Sequence, residues 1–251
     1  MGHETGPLAG RIILVTGAAR RIGRAIALAT AEAGADVVVH YRRSADEAAD
    51  VAETIRRGGR QAWTLQADLA DPDGAAAVIG RAVELAGPVD VLVNNASSFP
   101  AGLITEAGDA DIIANVRVHA VAPLLLSRAL AEQGRPGHIV NLLDARITDY
   151  DRRHAAYQLS KRMLADLTRM LAVELAPSIA VNAVAPGLIL PPPGENESYL
   201  ERFAHTNPLN RHGDPADIAR AVLYLLGSTF VTGQILYVDG GRHMRGSMYG
   251  S

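Results

Sequence analysis

The chain has 251 residues, 48% of them hydrophobic, and a formal net charge of −3, which describes a globular protein long enough for a sizeable core. That charge excludes the broadly basic surface of a nucleic-acid binder, because the arginine clusters are local. With no cysteine in the chain, disulfides, thiolate metal sites and a cysteine nucleophile are excluded, and a reducing cytoplasm is the expected setting. The polar opening Met1–Gly10 lacks the apolar centre of a signal peptide. The run from Ala120 to Leu126, broken by Pro123, is too short to span a membrane.

Short apolar runs alternate with longer amphipathic segments along the whole chain. Ile12–Val15, Asp36–His40, Gln61–Gln66, Val89–Asn94, Gly137–Leu143, Ala180–Val184 and Gln234–Val238 read as strands, apolar on both faces as in a covered parallel sheet. Helical patterns fall near Arg21–Ala33, Ala45–Arg57, Pro72–Leu85, Asp109–Glu132, Ala155–Leu175 and Asp214–Leu226. The alternation predicts one α/β domain over residues 1–251, a doubly wound parallel sheet of about seven strands with helices on both faces. Ligands in such sheets bind beyond the carboxyl ends of the strands, so the residues after each apolar run carry the function.

The first run turns through Thr16-Gly17-Ala18-Ala19-Arg20-Arg21-Ile22-Gly23-Arg24 into a helix. A strand that turns on glycines into a helix aims backbone N–H groups and the positive end of the helix dipole at one spot, which attracts phosphate. Three arginines beside that end suit a bound polyanion better than a bare helix start. After the second run comes His40-Tyr41-Arg42-Arg43-Ser44, with no acid before Asp46 to hold a ribose hydroxyl. Arg42, Arg43 and Ser44 are suited to grip a 2′-phosphate, so NADPH is expected over NADH; a solvated basic turn is the plainer reading.

The third run ends in Ala67-Asp68-Leu69. Asp71, just before Pro72, is the better helix cap, which leaves Asp68 for the ligand. The fourth ends in Asn94-Asn95-Ala96-Ser97-Ser98-Phe99, where asparagine can brace loop backbone and small residues leave room for a nucleotide. Phe99 either stacks on a flat ring or fills core. The fifth ends in Asn141-Leu142-Leu143-Asp144, and the next helix carries Tyr157-Gln158-Leu159-Ser160-Lys161. Tyr157 and Lys161 share a helical face, and an ammonium there lowers a phenol's pKa. Tyr150 has His154 rather than Lys at that spacing. The sixth run leads into Pro186-Gly187-Leu188, another turn at the cofactor end. The stretch from Pro191 to His205 breaks the pattern and is expected to be a lid over the substrate, within about 190–210. The eight histidines show no metal-ligand spacing, so no metal is expected.

Together these pieces resemble the short-chain dehydrogenase/reductase family across nearly the whole chain, through Thr16-Gly17 to Gly23, Asp68, Asn94-Asn95-Ala96, Tyr157 with Lys161, Pro186-Gly187 and Val238-Asp239-Gly240-Gly241. Three positions depart from the family. Its middle glycine is Arg21, its usual catalytic serine is Asp144, and the asparagine of its central helix falls on His119, with Asn115 one turn off and not given that role. This combination is similar to the pteridine reductases and bacterial dihydromonapterin and dihydrofolate reductases.

The resemblance implies a nicotinamide cofactor, NADPH or NADP, a pterin or folate substrate and a homotetramer, with Arg245 a candidate to reach a neighbour's site. It implies that Phe99 sandwiches the pterin against the nicotinamide and that Ser97 and Arg21 contact substrate and cofactor. The expected reaction moves hydride to a C=N bond, with Asp144 and Tyr157 handling the proton and Lys161 holding the ribose. At Tyr157 a carboxylate raises the phenol pKa while Lys161 lowers it. A carbonyl reductase of the same family is the rival reading. A regulator that binds NADP without catalysis is the remoter one.

Overall fold

The structure, a computed structural model, describes residues 6–192 and 194–247. The side chain of Arg245, with the expectation attached to it, lies outside the described residues. Seven strands form one sheet: β1 (Ile12–Val15), β2 (Asp36–Tyr41), β3 (Ala62–Gln66), β4 (Val91–Asn94), β5 (Gly137–Leu142), β6 (Ile179–Pro186) and β7 (Ile235–Val238). Their order is β3-β2-β1-β4-β5-β6-β7, and every pairing is parallel. Parallel pairing forces a crossover after each strand, and those crossovers cover both faces.

The strand period of two divides the core. Ile13 and Val15 face a layer built on α1 (Arg21–Glu32), α2 (Ala45–Arg57) and a helix near the C-terminus, where Ile26, Val51, Ile55, Val222 and Leu225 pack. Leu14 faces the other layer, where Val78 and Ile79 of α3 (Pro72–Ala86) meet Leu126 and Leu130. Each buried Leu, Ile or Val side chain contributes about 1.5–3 kcal/mol. The edge strand β3 leaves Thr64 and Gln66 exposed, so the apolar-on-both-faces reading holds for the central strands and relaxes at the edge.

Two expectations are corrected. The segment read as one helix, Asp109–Glu132, is α4 (Asp109–Val116), a π-turn at Arg117–Val121 and α5 (Ala122–Ala131). Pro123 has no N–H for the carbonyl of His119 four residues back, and the Ala122 N–H bonds to Arg117 five residues back instead. By length and composition Asp109–Ala131 could cross a membrane, yet Ala122, Leu126 and Leu130 are buried in the core. The Pro191–His205 stretch, expected as a lid that breaks the helical pattern, carries α7 (Glu197–Phe203). Asn196 caps it by accepting the Ser198 N–H at 3.0 Å, and Leu200 anchors it. The remaining helices are α6 (Ala155–Glu174) and α8 (Pro215–Gly227).

Candidate active site

The strand order reverses between β1 and β4, and the crevice opens there. Thr16 at the end of β1 ties the two strands: its Oγ1 accepts N–H groups from Asn95 at 2.9 Å and Ala96 at 3.0 Å and donates to Val93 O. Asn95 Nδ2 donates back to the Thr16 and Gly17 carbonyls at 2.8 and 3.2 Å. Gly17 has φ 64°, and its N–H donates to His40 Nδ1 at 3.1 Å. That contact leaves the proton on Nε2, and burial holds the His40 pKa down at about 4, so the ring is neutral. A Cβ on Gly23 would stand 2.2 Å from the Gly17 carbonyl oxygen. The glycines therefore let the loop fold onto the start of α1. That start has no side-chain cap and no acid in its first turn, so its N–H groups are free to meet an anion.

A cleft of about 750 Å³ runs along the carboxyl ends of the strands. Of the expected cofactor residues, Gly17, Arg20, Arg21, Ile22, Gly23, His40, Arg42, Asp68, Leu69, Asn95, Ala96, Ser97, Pro186, Gly187 and Leu188 line it, as do Phe99, Asp144, Tyr157 and Lys161. Three expected residues do not line it. Tyr41 packs against the core layer of α1 and α2, Arg43 is exposed, and Ser44 sits at the N-cap of α2 without a capping hydrogen bond. Asn95 holds loop backbone through its Nδ2, and His40 does so through Nδ1 while its Nε2 has no hydrogen-bond partner. Arg42 lies 3.9 Å from Asp68, and Arg20 pairs with Glu47. Asp71 does cap α3, accepting from the Asp73 and Gly74 N–H groups.

At the other end of the cleft, Tyr157 Oη donates to Asp144 Oδ2 at 3.0 Å, and Asp144 Oδ1 accepts the Arg146 N–H at 2.7 Å. Burial first, then the charge and hydrogen bond of Asp144, raise the Tyr157 pKa well above 10. The opposition at this phenol is thus resolved in favour of the protonated form. Lys161 is fully buried and donates to the Leu142 carbonyl at 2.6 Å, with its Nζ 5.8 Å from the Tyr157 ring centroid. Desolvation lowers its pKa to about 8, against the pull of Asp144.

Phe99 stands over this pair. Its ring stacks on His154 at 3.8 Å between centroids and lies perpendicular to Tyr157 at 4.7 Å, yet stays 40% exposed on the cleft wall. It does not fill core. His154 is held by Asp151 at 2.9 Å, and Asp151 also pairs with Arg146.

The model of the short-chain dehydrogenase group described as enoyl-(acyl carrier protein) reductase matches residues 17–243. The chain belongs to the short-chain dehydrogenase/reductase family. An uncharacterised oxidoreductase of Mycobacterium tuberculosis is 37% identical over 246 residues, covering 92% of this chain and 91% of the relative. The 3-oxoacyl-[acyl-carrier-protein] reductase FabG of Staphylococcus epidermidis is 35% identical, covering 92% of this chain and 98% of its own. Among solved structures, FolM alternative dihydrofolate reductase 1 of Brucella canis, complexed with NADP, superposes with a TM-score of 0.88 at 36% identity, covering 94% of this chain and 96% of that one.

Within this family's site the departures have local causes. Arg21, in place of a glycine, takes φ 54°, a left-handed conformation costing a non-glycine residue roughly 1–2 kcal/mol. Its guanidinium donates to the Pro191 carbonyl at 2.8 Å, joining the phosphate loop to the start of the expected lid. Sequence reasoning missed His154, Arg146, Tyr199 and Arg242, all of which line the cleft. His154 was available only as the residue four after Tyr150. The other three lie on turns or the short helix α7, where no periodicity marks a direction.

Proposed function

We propose that this chain is an NADPH-dependent reductase acting on a C=N bond of a pterin ring of the dihydropterin, dihydromonapterin or dihydrofolate type. The observation that carries the reading is the Asp144–Tyr157 pair, 3.0 Å apart beside the exposed ring of Phe99. NADPH, when bound, supplies the hydride. The α1 N-terminus with Gly17 and Gly23 fits its pyrophosphate, Arg42 fits a 2′-phosphate and Lys161 a ribose hydroxyl.

An imine nitrogen that gains hydride at its carbon needs a proton, and Tyr157 Oη keeps one at every physiological pH. A pterin edge presents N–H donors beside nitrogen acceptors, which matches a carboxylate acceptor beside a phenol donor. A ketone offers Asp144 no hydrogen to accept, and the oxyanion developing from it would face that carboxylate at close range. Lys161 lies near enough to offset negative charge on Oη once the proton has left. The FolM relative supports this reading. The FabG relative supports a second, reduction of a 3-oxoacyl thioester, for which the Tyr157–Lys161 pair would also serve.

We read the assembly as a homotetramer. Met163, Met170 and Val173 are exposed on α6 while Leu164 and Leu171 are buried beneath it, so the helix is apolar on an outer face as well as its inner one.

Phe99→Ala tests the substrate reading directly. Fluorescence titration of an oxidised pterin into the NADP-loaded protein should show affinity about ten- to a hundredfold weaker in the variant. Unchanged affinity would remove the ring from the site.

A further inference from the structure

Behind Phe99 and Tyr157 lies a buried imidazole that the reaction does not use. His119 sits in the π-turn between α4 and α5 and is almost fully enclosed. Its Nε2 accepts the backbone N–H of Ser98 at 3.1 Å. A backbone N–H only donates, so Nε2 carries no proton, and the Ser97 hydroxyl 3.0 Å away donates to it as well. The ring proton is then on Nδ1, 2.7 Å from Ser160 Oγ, to which it donates. Ser160 in turn donates its own hydrogen to the Tyr157 carbonyl at 2.7 Å. The two ring nitrogens are thus used in opposite senses, Nε2 as acceptor and Nδ1 as donor. Desolvation and the nearby Lys161 hold the imidazole neutral.

The two arms of His119 end on different parts of the site. One holds Ser97-Ser98, the two residues before Phe99. The other holds the first turn of α6, from which Tyr157 reaches Asp144. We propose that His119 is a positioning residue that fixes the Phe99 loop to the Tyr157 helix through hydrogen bonds of opposite sense at its two ring nitrogens. The proposal deepens the pterin reading, since it takes Phe99 as the substrate platform and Tyr157 as the proton donor. An asparagine, the family's residue here, reaches only as far as Nδ1 does. It can supply the donor to Ser160 and leaves the Ser98 N–H without its acceptor. A glutamine does the reverse, reaching the Nε2 position and leaving Ser160 without its donor.

That asymmetry is the test. With NADPH and a dihydropterin, His119→Asn should raise KM about tenfold and leave kcat within about twofold, because only the Phe99 loop is released. His119→Gln should lower kcat about tenfold, leave KM nearly unchanged, and move the alkaline limb of the kcat pH profile downward as Tyr157 slackens from Asp144. Proportional losses in both constants from both variants, or no change from either, would overturn the proposal. A measurement without substrate separates its failure from that of the pterin reading. The Tyr157 phenol is titrated by ultraviolet difference absorbance against Tyr157→Phe in the wild type and both variants. A lower midpoint in His119→Gln alone supports the positioning role even if no pterin is reduced; equal midpoints in all three sink it.

Discussion

At the scale of single residues, the chemistry turns on a phenol that keeps its proton. Tyr157 is buried, hydrogen-bonded to a carboxylate and raised well above its ordinary pKa of 10. Such a group is a poor base that holds its proton at neutral pH, and it gives that proton up only to a nitrogen made strongly basic by the arriving hydride. Tyr157→Phe should therefore lose roughly 10²–10⁴ in turnover while binding NADPH normally; steady-state rates alongside a cofactor titration check this, and a wild-type rate would refute the role. The nearness of Tyr157 and Lys161 was legible from helical spacing, and the end of the sheet that holds Asp144 from its place after an apolar run; its pairing with Tyr157 came from the family resemblance. The direction of the phenol's pKa was not, because it depends on burial and on a 3.0 Å contact that no spacing encodes. Tyr41, Arg43 and Ser44 lie off the cleft wall that Arg42 lines, because side chains around a strand end diverge, and a contiguous motif does not by itself make a contiguous site.

Among the elements, the long apolar stretch before β5 is the instructive one. Hydrophobic periodicity marks Asp109–Ala131 as helical, and it is, but Pro123 and the π-turn before it are what put His119 behind the active site. Periodicity averages over such a defect. The α7 helix was missed because seven residues with Tyr199, Leu200 and Phe203 on one side are too few for a period to emerge. By contrast α6 announces itself, and its second apolar face bears on assembly. Met170 is 65% exposed. Met170→Glu should reduce the mass of the proposed tetramer in size-exclusion chromatography with light scattering; an unchanged mass would place the subunit contacts elsewhere.

For the molecule as a whole, the doubly wound parallel sheet follows from alternating strands and helices and was legible in the sequence, whereas the strand order that opens the crevice between β1 and β4 was not. What the sequence does not carry is the cost of burying charge. His40 and His119 are held neutral, with pKa values of about 4 and about 2, against 6.5 when exposed. Below pH 6.5 the unfolded chain takes up protons that the folded chain refuses, so stability falls as pH falls. By pH 5 each imidazole withdraws about 2 kcal/mol. Calorimetry should find Tm lower by on the order of 10 °C at pH 5 than at pH 7, with His119→Asn recovering about half of the loss; a flat profile would contradict the buried neutral pair. In the proposed reaction Asp144 beside Tyr157 commits the site to a C=N bond. The most direct test is NADPH oxidation by the purified protein with a dihydropterin panel and, in parallel, a 3-oxoacyl thioester. A kcat/KM at least a hundredfold higher for a pterin is expected; a thioester turned over as well or better would rule out the C=N assignment.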